Sequence, residues 1–182
     1  MKFLSVVVLM GILLTGCQDT KNGTLDTSKL NKIEMEDLTE QQQEKIPISY
    51  EASSLKAGLV ALPFEIKLPK KLPFESTPFQ PPTFMDFKHD GKVFMVEFKS
   101  FSKNKDEKIL LIISVSNIES NIDTSNTEPI ELKGDIVAIY SGKALSFSKD
   151  KISYSILYMN NNISNKQHKK DIIEIANQMI IE

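Results

Sequence analysis

The chain has 182 residues, and three residue types are scarce or missing from it: Cys17 is the one cysteine, there is no tryptophan, and all 22 basic residues are lysine. A lone cysteine excludes an internal disulfide and a cysteine-built metal site, so stability has to come from packing. Arginine's guanidinium fork is the usual reader of phosphate and carboxylate. Its absence, with a formal charge of −2, argues against nucleic acid as a partner. The two histidines, His89 and His168, are too few and too far apart in sequence to suggest metal ligands. Neither has a Gly-x-Ser-x-Gly serine or a free cysteine to activate, and both read as solvated surface residues. Beyond Cys17 the glycines are Gly23, Gly58, Gly91, Gly134 and Gly142, spaced too widely to cradle a phosphate. Carboxylates concentrate in turns and near the N-terminus, where they cannot pair across a cleft as a glycosidase requires. The chain therefore reads as non-enzymatic, with no cofactor and no metal. Nor is there an apolar run of the roughly 20 residues that a membrane-spanning helix needs.

What the sequence does contain is an export signal. Lys2 gives a positive start, Phe3 to Leu14 an apolar run of about a dozen residues, and Leu14-Thr15-Gly16-Cys17 a small-residue cleavage site ending in cysteine. The run is too short to cross a bilayer. This pattern resembles the bacterial lipobox, in which the cysteine sulfur receives a diacylglyceryl group before cleavage and the cysteine becomes the mature N-terminus. Cys17 is then the lipidation site, and two acyl chains at about 0.8 kcal/mol per buried methylene give a stable anchor. The expected localisation is the extracytoplasmic face of the cell membrane, with the membrane itself as a partner through the lipid.

Three regions are expected: residues 1–16 as the signal peptide, 17–45 as the lipidated N-terminus and flexible tether, and 46–182 as an α+β domain. Gln18 to about Asn31 is polar, with isolated leucines that look unable to build a core. A coil of about 15 residues would hold the domain some 20–25 Å from the bilayer on average. Ile33 to Lys45 reads as a short, largely solvated helix. In the domain, Ser53 or Ser54 is placed to cap a helix running through Leu62, with Pro63 ending it. Leu62-Pro63-Phe64, Leu68-Pro69 and Leu72-Pro73-Phe74 form a near-repeat whose prolines favour extended backbone on the surface, with Leu and Phe plugged into the core.

From Thr83 the apolar period is two. Phe84 to Lys88 and Lys92 to Phe101 flank a tight turn at Asp90-Gly91, where both central positions suit positive φ. Strands are expected at Lys108–Ser116, Ile130–Lys133, Ile136–Tyr140, Leu145–Phe147 and Ile152–Met159, with a polar loop from Asn117 to Glu128. In the last strand Ile152, Tyr154, Ile156 and Tyr158 share a face opposite Ser153 and Ser155, as in a sheet wet on one side. A helix from Lys166 or Gln167 to Ile180 carries an apolar stripe of Ile172, Ile175, Ala176, Met179 and Ile180. The fold class is α+β: a curved antiparallel sheet of about six to seven strands with the C-terminal helix packed on one face.

Eight phenylalanines, Phe64, Phe74, Phe79, Phe84, Phe87, Phe94, Phe98 and Phe101, fall close together in this stretch. They are either the core of a tryptophan-free domain or the lining of an apolar cavity for an acyl chain. Lysines at 103–108 and 166–170 read as solvated faces.

The Leu-Pro-Phe segment, the meander, the Gly-Asp-Ile-Val-Ala-Ile-Tyr and Lys-Ile-Ser-Tyr-Ser-Ile-Leu-Tyr strands and the terminal Asp-Ile-Ile-Glu-Ile-Ala-Asn-Gln-Met helix together resemble an uncharacterised domain. It occurs in exported lipoproteins and in the outer portions of membrane-bound regulators of Gram-positive bacteria. The likeness spans about Leu55 to Ile180 and is structural rather than chemical. It implies a shape similar to periplasmic lipoprotein carriers and to anti-sigma-factor sensor domains, and it carries no catalytic residues. Tyr154 and Tyr158 stand where the family often has a tryptophan. The expected function is a binding or envelope-sensing module with an unidentified protein or lipid ligand; the alternative is a lipid or lipoprotein carrier.

Overall fold

The computed structural model describes residues 23–35, 39–118 and 127–180. Cys17 and the signal segment lie outside the described residues, as do 36–38 and 119–126 of the expected helix and loop. Nine strands, β1 (Leu30–Lys32), β2 (Ile48–Ala52), β3 (Thr83–Asp86), β4 (Phe94–Phe101), β5 (Leu110–Ser116), β6 (Glu128–Leu132), β7 (Ile136–Ser141), β8 (Ala144–Lys149) and β9 (Ile152–Met159), make one sheet. Its order is β1-β2-β3-β4-β5-β9-β8-β7-β6, with every pairing antiparallel. Among the described residues three α-helices join it: α1 (Glu40–Gln43), α2 (Leu55–Ala61) and α3 (Asn165–Met179).

Side-chain alternation decides which face is dry. Tyr50, Phe84, Val96, Val115, Tyr154 and Phe147 stand opposite one another across six neighbouring strands. All but Tyr50 are buried. The next residue along each strand points to the other face, where Glu97, Ser114, Ser155 and Ser146 form a polar row.

The dry face is covered in three pieces. Ser54 caps α2 by accepting from Ala57 N at 3.1 Å, and α2 lies against β1 and β2. The Leu-Pro strap follows, with Phe64 stacked on Phe94 at 5.9 Å and Phe74 on Tyr158 at 5.9 Å. Ser164 caps α3 by accepting from Gln167 N at 3.2 Å, and α3 packs on β6, β8 and β9. Gln178 ties strap to helix: its Oε1 accepts from Lys70 N and Lys71 N, and its Nε2 donates to Lys71 O.

Three expectations need correction. The sheet has nine strands rather than six or seven, because β1, inside the expected tether, and β2, at the start of the expected domain where no strand was read, pair onto its edge. The flexible tether of 17–45 does not hold from Gly23 onward. Leu25 is only 3% exposed, Leu25 N donates to Gly91 O at 2.9 Å and Asp26 N to Ala61 O at 2.9 Å. A leucine isolated in sequence has a partner 66 positions away, which composition cannot reveal. The helix expected over 33–45 shrinks to α1, since Ile33 to Met35 are non-helical.

Candidate functional site

A groove of about 660 Å³ opens where β7, β9 and α3 meet, bounded by Tyr140, Lys143, Asn160, Asn161, His168 and Lys169. Asn160, just past β9, is buried. It donates from Nδ2 to the Tyr158 hydroxyl at 2.8 Å and accepts from Asn162 N at 3.0 Å. These bonds turn the chain toward Ser164, from which α3 starts.

His168 lies one turn into α3 and is 5% exposed, which corrects its reading as a solvated residue. Its stripe position explains this: 168 precedes Ile172 by four residues and Ile175 by seven, so it shares the face turned to the sheet. Nε2 lies 2.7 Å from Tyr158 O. A carbonyl only accepts, so Nε2 carries the hydrogen, and in the neutral ring Nδ1 is the acceptor. The Tyr140 hydroxyl, 3.3 Å from Nδ1, is the matching donor. The ring also stacks on Tyr158 at 5.0 Å.

Lys169 Nζ pairs with Glu128 at 2.7 Å and stands 6.0 Å from the centre of the Tyr140 ring. Burial raises the Tyr140 phenol above its usual range, Lys169 opposes the shift, and Glu128 adds to it. Burial also raises the Tyr158 phenol, against the bond from Asn160 and with the nearby Asp171 carboxylate. Asp171, itself buried, accepts from Gln167 Nε2 at 2.6 Å. Lys143 Nζ donates to Asn161 at 3.1 Å on the rim. With Tyr158 fully buried and the imidazole engaged at both nitrogens, the groove presents chiefly the amide of Asn161 and the ammonium groups of Lys143, Lys166 and Lys169.

His89, by contrast, is exposed, with Nε2 2.8 Å from Ile46 O. The phenylalanines do not line one cavity. Phe84, Phe94 and Phe98 are fully buried, Phe64, Phe74 and Phe79 pack against the core, and Phe87 and Phe101 stand 41% and 42% exposed. Among the described residues no group of three or more His, Cys, Asp or Glu could hold a metal, and no helix is long and apolar enough to cross a membrane. Sequence reasoning missed the groove because Tyr140, Asn160 and His168 come from three separate elements. The one available signal was the position of His168 in the helical stripe.

No family model, curated protein or solved structure matches the chain.

Proposed function

We propose that this protein is a non-enzymatic binding or envelope-sensing module, held by lipid on Cys17 at the extracytoplasmic face of a Gram-positive cell membrane. The observation that carries the reading is the apolar run closed by Leu14-Thr15-Gly16-Cys17. The arrangement of the domain supports the binding part. Most of its phenylalanines are buried in or packed against the core rather than lining one cavity, which favours an interaction module over a carrier, and its buried histidine is held by a backbone carbonyl and a phenol. The groove beside α3 is where we place the contact with a ligand.

A photo-crosslinking residue at Asn161, on the groove rim, tests this in intact cells against the same residue at Ser148, an exposed position on β8. The reading expects a discrete adduct from position 161 and none from 148. Equal labelling from both, or none above background, contradicts it.

A further inference from the structure

The N-terminal segment meets the domain beside one loop. Gly23 lies against Pro63 and Thr24 against Gly91, and the Leu25 N to Gly91 O bond pins the chain there. Between Cys17 and Gly23 there are only six Cα steps. Fully extended, at about 3.3–3.6 Å per residue, they reach roughly 20–22 Å; as a coil they average roughly 12–15 Å. The loop joining β3 to β4, residues 87–93, is therefore held within a short leash of any bilayer that carries the lipid on Cys17.

The composition of this loop suits such a surface. Phe87 is a large apolar ring 41% exposed, and Lys88, His89 and Lys92 are exposed beside it. The loop's one carboxylate is Asp90, which accepts from Lys92 N at 3.0 Å and sits 3.6 Å from Lys92 Nζ. The loop is tied by hydrogen bonds at its base. Asp86, 1% exposed, accepts from Gly91 N at 2.8 Å and Lys88 N at 3.2 Å, and Asn117 braces Phe94 N and Lys92 O. An aromatic ring flanked by lysines matches the headgroup region, where rings settle among the glycerols and ammonium groups meet phosphate.

We propose that the 87–93 loop is a lipid-contacting surface, with Phe87 seated in the headgroup region and Lys88 and Lys92 on lipid phosphates. This rests on the reading of Cys17 as acylated. One consequence concerns the groove beside α3, which lies past the far end of β9 from Ile152, a residue bordering the Pro63 end of the molecule. The eight residues of β9 span about 23 Å at roughly 3.3 Å per step, so the groove faces away from the bilayer.

The absence of tryptophan makes a single introduced indole a clean reporter. F87W and, at the opposite end, K105W are prepared as full-length acylated protein. Each is bound to phosphatidylcholine–phosphatidylglycerol vesicles with bromines placed high on the acyl chains. The proposal expects F87W to be quenched several-fold more strongly than K105W, and to be shielded from a water-soluble quencher only when vesicles are present. Equal quenching of the two reporters in vesicle-bound, acylated protein overturns the proposal and leaves the anchor intact. A Cys17 peptide without acyl mass, in protein that stays off the vesicles, overturns both.

Discussion

Tyr154 stacks on Phe147 with ring centroids 4.8 Å apart, and burial pushes its phenol up to about 12, with Asp150 adding to the shift. The ordinary phenol ionises near 10, so the unfolded chain releases this proton first. The neutral phenol's contribution to stability is complete below pH about 10 and is lost as pH rises through about 12. Urea unfolding across that window is expected to show falling stability, with the fall reduced in Tyr154→Phe. His168 gives a second residue-level test, because as a surface group its replacement would change little, within about 0.5 kcal/mol. Buried and donating to Tyr158 O, it should behave otherwise: His168→Leu keeps most of the volume, strands that carbonyl, and is expected to cost about 1–3 kcal/mol. The phenylalanines divide in the same way. Phe94→Ala should cost about 3–5 kcal/mol and the half-exposed Phe101→Ala about 1 kcal/mol, both read from denaturant midpoints. Which phenylalanines face the core was legible from alternation along β4, where Phe94, Val96 and Phe98 share the dry side. The inward turn of His168 was hidden by its polarity, although its spacing from Ile172 and Ile175 was there to be read.

At the scale of elements, strong periodicity was legible and weak periodicity was not. The faces of β4 and β9 follow from apolar residues at every second position, and α3 from its stripe, whereas β5 is apolar on both faces from Leu110 to Ile113 and takes its dry side from its neighbours. The strands β1 and β2 are short and mixed in composition, and they are ordered by pairing in series, β1 on β2 and β2 on β3, and by the Leu25 N to Gly91 O bond. Leu25→Ala tests that ordering. A tether residue would be neutral to the change, whereas the buried side chain is expected to lose about 2–5 kcal/mol. The β3–β4 connection departs from the expected tight turn in a similar way. Positive φ falls at His89 (61°) and Gly91 (69°) rather than at Asp90 and Gly91, because the Asp86 carboxylate gathers Lys88 N and Gly91 N and widens the loop. In α2 two effects oppose each other at Gly58. Helix propensity favours alanine there by about 1 kcal/mol, but a Cβ would stand 2.2 Å from Pro82 Cγ and 3.2 Å from Ala52 Cβ. The contact is the larger effect, so Gly58→Ala is expected to lower the thermal midpoint despite the better helix former.

For the molecule as a whole, the sheet and its one covered face were within reach of the sequence, while the distance from Cys17 to the packed domain was not. Counting polar residues to Asn31 gave a long tether, but packing from Gly23 leaves six Cα steps from Cys17 to the packed chain, so the lipid proposed on Cys17 would bring one end of the strands close to the membrane. That packing also sets two surfaces at opposite ends of β9, the 87–93 loop on the side where Gly23 packs and the groove beside α3 on the other. The candidate site was the least legible part, since its residues converge only when the sheet and α3 assemble. All of this orientation depends on what happens at one sulfur atom. The most direct measurement is the intact mass of the N-terminal peptide of protein isolated from membranes, with a Cys17→Ala form fractionated alongside. The account predicts a peptide beginning at Cys17 with a diacylglyceryl mass on it, and a Cys17→Ala form released from the membrane fraction. An unmodified Cys17, or a Cys17→Ala form that partitions with membranes as the parent does, would contradict it.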